Sequence, residues 1–105
     1  MSQKEIAGAM VDVNEEGYMI NPSQWSKEIA EKLAEDLEIF ELTDAHWKVI
    51  EFLRTDFEEK GAVPAVRRID KVGGTPTKEL YRLFPKGPVK KAAKIAGLQK
   101  PESCV

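Results

Sequence analysis

Residues Thr43–Gly61 read TDAHWKVIEFLRTDFEEKG, and this stretch decides the fold class. Thr43 followed by Asp44 supplies a capping hydroxyl and an acidic first turn, the chemistry of a helix start. Trp47, Ile50, Leu53 and Phe57 recur at three- and four-residue intervals, so they share one apolar face. Gly61 is free to take the left-handed conformation that ends a helix.

The same helical patterning extends to both sides. Upstream, Ser23 or Ser26 can cap a helix running to about Leu37, with Trp25, Ile29, Leu33 and Leu37 at i, i+4 spacing. Its opposite face, Lys27, Glu28, Glu31, Lys32 and Glu35, is a solvated one. Downstream, Pro64 suits the first turn of a third helix that turns Val66 and Ile69 inward and ends at Gly73-Gly74. Thr75-Pro76 opens a fourth helix carrying Leu80, Tyr81, Leu83 and Phe84 to a core. Pro85-Lys86-Gly87-Pro88 breaks it and starts a fifth, from Val89 to about Ala96, with Gly97 as its stop. Only the segment from Ile6 to Ile20 reads otherwise. Val11 and Val13 alternate with Asp12 and Asn14, and Asn14-Glu15-Glu16-Gly17 supplies turn chemistry before Tyr18-Met19-Ile20, which predicts a short β-hairpin. The expected architecture is a mainly α single domain over residues 1–105. It comprises a hairpin (6–20), a small helical bundle with a helix-turn-helix-like pair (23–96) and a flexible C-terminal arm (97–105).

Composition narrows the class. The chain has 105 residues, 42% of them hydrophobic, enough for a modest core. No apolar run approaches the roughly 20 residues needed to span a bilayer, and MSQKEIAGAM lacks a secretory h-region. One cysteine permits no internal disulfide, which suits a reducing compartment and makes a cytoplasmic protein the expectation. The net charge of −2 conceals two unequal halves. Residues 1–61 carry six Lys/Arg against fifteen Asp/Glu, and residues 62–105 carry ten against three. Such asymmetry marks either a surface for an acidic partner or two halves that attract each other within the fold.

Few constellations carry chemistry. One His and one Cys cannot make a four-ligand zinc site within the chain, so no metal or cofactor is expected. His46, in the first turn of its helix, reads as a structural histidine. Gly73-Gly74-Thr75-Pro76-Thr77-Lys78 has the wrong glycine spacing for a P-loop, lacks a preceding strand, and loses an amide at Pro76; it reads as a helix–helix turn. The pair around it is rich in cations. Arg67, Arg68, Lys71 and Lys78 are the residues a DNA-binding reading would use, but TPTKELYRLF leaves few polar side chains for base edges. Docking of an acidic protein accounts for the same charges. That leaves Cys104 in KPESCV, where no core can use its side chain.

From LYRLFPKGPVKKAAKIAGLQKPESCV the sequence is identified as a member of the DsrC/TusE family of sulfur-carrier proteins, which show a very similar LFPKGP, an IAGLPKP in the arm and a penultimate cysteine. EEGYMINPSQW, ELTDAHWKVIEFLR and VPAVRRI extend the resemblance, in order, over nearly the whole chain. The resemblance implies a monomeric sulfur-relay protein in which Cys104 accepts a sulfane sulfur as a persulfide and hands it on. Its partners would be sulfur-donating and sulfur-accepting proteins, in tRNA thiolation or with dissimilatory sulfite reductase. An accessory, gamma-type subunit of that reductase is the neighbouring alternative, and a DNA-binding regulator with a Cys104-linked dimer is another. Arg82, Lys86, Lys90, Lys91 and Lys100 are the candidate docking residues. Lys100 favours the thiolate, which Glu102 and the terminal carboxylate oppose. Counted from Gly97, such an arm would reach on the order of 30 Å when extended. The two-cysteine members carry CKIAGL where this chain has AKIAGL, so Ala93 replaces the second arm thiol and a disulfide or trisulfide within the arm is impossible. Gln99 stands where proline is usual, and the GGTPT turn is shorter than in TusE-like members.

Overall fold

A computed structural model describes residues 2–101. Two strands come first, β1 (Ser2–Ile6) and β2 (Ala9–Val13), antiparallel with Ser2 opposite Val13 and Ile6 opposite Ala9. The hairpin therefore lies earlier than its expected 6–20 span. Its two-residue turn is Ala7-Gly8, with φ of 52° and 82°, the pair of positive angles that a type I′ turn requires. Alanine rarely adopts such an angle, so the sequence hid this turn. The expected turn at Asn14–Gly17 also forms: Asn14 Oδ1 accepts from the amides of Glu16 (2.9 Å) and Tyr18 (3.0 Å). It leads only to a single bridge between Val13 and Met19.

A 3-10 turn at Pro22–Gln24 follows, tied to the hairpin where Gln24 Oε1 accepts from the Asp12 amide at 2.9 Å. Five helices make up the rest. In α1 (Lys27–Asp36), Ser26 is the cap, its Oγ accepting from the Ile29 amide at 3.3 Å. Trp25 thus sits outside the helix on which its spacing placed it. The long helix α2 (Asp44–Lys60) runs from Thr43 to Gly61, where φ is 76°. Its inward face is His46, Val49, Ile50, Leu53 and Asp56, with Trp47 and Phe57 at the flanks, so the predicted stripe is rotated. Then come α3 (Val66–Lys71), α4 (Thr77–Leu83) and α5 (Pro88–Ile95). The first two form the helix-turn-helix-like pair. Gly73 is pressed into its turn, where a Cβ would stand 2.9 Å from the Phe52 ring and 2.7 Å from the Ile69 carbonyl oxygen.

The core gathers around α5. Val89, Ala92, Ala93, Ile95 and Ala96 are buried completely, and α1, α2 and α4 all pack on this helix. Its alanines let the neighbouring helices approach closely, while Lys90, Lys91 and Lys94 stay on its outer side. Two polar groups are buried with partners. His46 accepts at Nδ1 from the Thr43 amide (3.1 Å), which leaves Nε2 to donate to the Leu83 carbonyl at 3.0 Å. The ring therefore joins the start of α2 to the end of α4, the structural role its position suggested. Asp56, on α2, accepts from Arg68 Nε at 3.0 Å to each oxygen and from Nη2 at 2.7 Å, which docks α3.

The Arg68 hydrogen bonds hold the Asp56 carboxyl below its ordinary value. A folded-state value below the unfolded one, about 3.9, means that the pair stabilises the fold above that pH and that the contribution fades as pH falls through the folded value. Asp56→Asn is expected to lower the thermal midpoint by several degrees at pH 7, with the gap to the parent narrowing below about pH 4. Melting curves from pH 2.5 to 7 check this; a gap independent of pH would show that the ion pair contributes nothing.

Candidate functional site

Cys104 lies outside the described residues, so the site is defined by what positions the segment leading to it. Helix α5 ends in a Schellman motif: the Gly97 amide donates to Lys94 O at 3.2 Å and the Leu98 amide to Ala93 O at 3.0 Å. Gly97 has φ of 73°, and the indole of Trp25 lies directly against it, such that a Cβ would stand 2.5 Å from Cδ1. Only glycine meets both demands.

Trp25 and Arg54 grip the carbonyls that the helix end leaves open. Trp25 Nε1 donates to Ile95 O at 2.8 Å. Arg54 Nη1 donates to Ala96 O at 2.7 Å and Nη2 to Pro22 O at 3.3 Å. The guanidinium lies 4.1 Å from the Trp25 ring centroid, a cation–π contact that packs the two side chains into one unit. A cation at a helix C-terminus is also favoured by the helix dipole. Burial lowers the Arg54 pKa from its ordinary value, with Glu58 opposing.

Beyond Gly97 the chain remains attached. Leu98 is only 1% exposed and belongs to the core, and Pro101 is buried. Between them Lys100 Nζ pairs with Glu16 Oε1 at 3.1 Å, and Lys94 Nζ donates to Glu16 O at 3.0 Å while lying 5.5 Å from the Tyr18 ring centroid. Burial, then the Glu16 carboxylate, raise the Tyr18 phenol pKa, against a pull from Lys100. Within the expected arm, residues 97–101 form a fixed base, because Leu98 and Pro101 bury apolar surface and Gly97 is clasped. Cys104 is the third residue after Pro101, and three residues span at most about 11 Å.

The other sequence candidates are dispersed. Lys86 is exposed, with φ of 60°, in the break before α5, and Lys90 and Lys91 are half-buried on α5. Arg82 pairs with Glu79 on its own helix. On the helix pair, Arg67, Lys71 and Lys78 are exposed, while Arg68 is engaged by Asp56. Tyr81, expected to face the core, is 43% exposed. Sequence reading missed Trp25, Arg54 and Glu16. The available signal for Arg54 was its being the lone cation between Glu51 and Glu59. Among the described residues no helix is long and apolar enough to cross a membrane.

Gly97→Ala places a methyl into the Trp25 ring and a non-glycine residue at positive φ, a cost of roughly 2–3 kcal/mol. Arg54→Ala removes two hydrogen bonds and the stacking contact, for about 1–2 kcal/mol. Denaturant titration measures both. Hydrogen exchange at the Leu98 amide should accelerate in each variant; an amide as protected as in the parent would disprove the clasp.

The family described as DsrC like protein matches residues 5–105. The sulfurtransferase TusE of Yersinia pseudotuberculosis is 42% identical over 108 residues, covering 96% of this chain and 99% of that one. The dissimilatory-type sulfite reductase subunit gamma of Nitratidesulfovibrio vulgaris is 37% identical over all of both chains. Among solved structures, a chain of dissimilatory sulfite reductase I (DsrI) superposes with a TM-score of 0.87 at 36% identity, over 99% of this chain and 100% of that one. The family match over residues 5–105, the relatives similar over nearly their whole length and the shared fold have one conclusion: the chain belongs to the DsrC-like family.

Proposed function

We propose that the protein is a sulfur-relay carrier and that Cys104 is its working residue. The observation that carries this reading is the fixed base at 97–101, which ends three residues before the only thiol in the chain. The TusE and gamma-subunit relatives, similar over almost the whole chain, support the same role. The Cys104 thiolate attacks the terminal sulfur of a donor persulfide. The donor's S–S bond breaks, its thiolate leaves, and the sulfane sulfur now sits on Cys104 with no net oxidation. A second thiolate on an acceptor repeats the exchange in the forward direction. A reducing, cytoplasmic setting keeps the single thiol available.

Lacking a second arm thiol at Ala93, which is fully buried on α5, the chain delivers sulfur only by transfer to another molecule. Sulfur-donating and sulfur-accepting proteins are therefore its partners, with dissimilatory sulfite reductase as one candidate from the gamma-subunit likeness. Lys86, Lys90, Lys91 and Lys100, with Arg82, are the docking cations of this reading. The DNA-binding alternative, which would use Arg67, Arg68, Lys71 and Lys78, has less behind it: the helix pair leaves few polar side chains for base edges, and Arg68 is already engaged by Asp56.

Incubation with polysulfide, or with a cysteine desulfurase and cysteine, should add about 32 Da per sulfur to the intact protein. The adduct should map to Cys104, leave on reduction and be absent from Cys104→Ser. A parent mass unchanged by every donor would overturn the carrier reading.

A further inference from the structure

The short distance between the fixed base and the thiol restricts where a partner can sit. Cys104 stays within about 11 Å of Pro101, so a protein that exchanges sulfur with it must cover the surface around Pro101. The neighbouring Lys100 identifies that surface, because its ammonium is bound to Glu16 in the turn after β2. Asn14, Glu15, Glu16 and Ile20 line one shallow concavity there. Ile20 is a large aliphatic side chain left 43% exposed, while its neighbours Tyr18 and Met19 are 6% and 2% exposed.

The turn is also rigid. Asn14 Oδ1 holds two of its amides, the Asn14 amide donates to Tyr18 O at 2.9 Å, and the Ile20 amide donates to Asp12 O at 2.9 Å. Lys94 closes it from below through Glu16 O. A surface already ordered loses little entropy when a partner lands on it.

We propose that this turn, with the exposed Ile20 and Glu15, is the docking surface for the protein that exchanges sulfur with Cys104. The proposal rests on the carrier reading above. The partner it fits bears a thiol or persulfide close to its own surface, an apolar side chain to cover Ile20 and a basic one to meet Glu15. An exposed aliphatic group ringed by polar atoms is the usual form of a small interface core. The opposite carboxylate speeds encounter more than it tightens the complex.

Sulfur loading of Cys104 from two donors tests this. One donor is a cysteine desulfurase supplied with cysteine, which must dock, and the other is polysulfide, which need not. In Ile20→Asp and in Glu15→Lys, the KM for the desulfurase should rise about tenfold, equivalent to a loss of about 1.4 kcal/mol in docking. The kcat and the polysulfide rate should both stay at parent values. Both side chains are exposed, so folding is retained, and parental melting curves verify it. A desulfurase KM unchanged in both variants overturns the proposal. An equal change with both donors overturns it as well, because the concavity would then act on the chain's own end rather than on a partner. A parent chain that takes sulfur from neither donor would instead refute the carrier reading.

Discussion

The structure depends on how the last carbonyls of α5 are held. Helix α5 is the central element, and its C-terminal end meets two segments distant in sequence, the end of the 3-10 turn and the middle of α2, as well as the chain that follows it. Trp25 takes the Ile95 carbonyl, Arg54 takes that of Ala96, and the two side chains stack on each other. Had these carbonyls been buried without donors, each would cost about 1–3 kcal/mol. Arg54 reaches Pro22 O as well, so one guanidinium binds α2, α5 and the 3-10 turn together. Gly97 is then the only residue type that leaves room for the indole.

The helices were legible because their signals are local. Thr43, Ser26, Gly61 and Gly97 each act within one turn of their own position, and an apolar stripe repeats every three to four residues regardless of what covers it. What covers it is a different matter. Asp56 interrupts the inward face of α2 because Arg68, twelve residues on, meets it there. Trp25 keeps helical spacing to Ile29, yet Ser26 caps α1 after it, and its indole is drawn to a carbonyl 70 residues away. Tyr81 fits an apolar face by type but faces solvent, since Leu80 and Leu83 suffice to pack α4. The hairpin was misplaced for the opposite reason: its turn is purely local, but alanine at positive φ carries no sequence signal.

The candidate site was legible in a different way. Cys104 stood out by elimination and by resemblance, since no other residue had the chemistry and the arm motif named its family. Its support was not legible. The sequence from Gly97 on has no periodicity and reads as an arm, yet Leu98 completes the core and Pro101 is buried. Single contacts of this kind leave no repeating pattern, and the Glu16–Lys100 pair joins residues 84 apart.

A fixed base changes what a carrier of this design can select. A long tether lets a thiol search a large volume, so its body need not be positioned and specificity rests on the thiol's chemistry alone. Persulfide exchange offers little selectivity, because any accessible thiolate can accept a sulfane sulfur. With the chain held as far as Pro101, the thiol meets only what is brought within about 11 Å. On the proposed carrier reading, recognition falls to the folded body, whose surface near Pro101 is ordered by Asn14, Lys94 and Lys100. On the same reading, the clasp of Trp25 and Arg54, which fixes the chain at Gly97, ties partner choice to the fold.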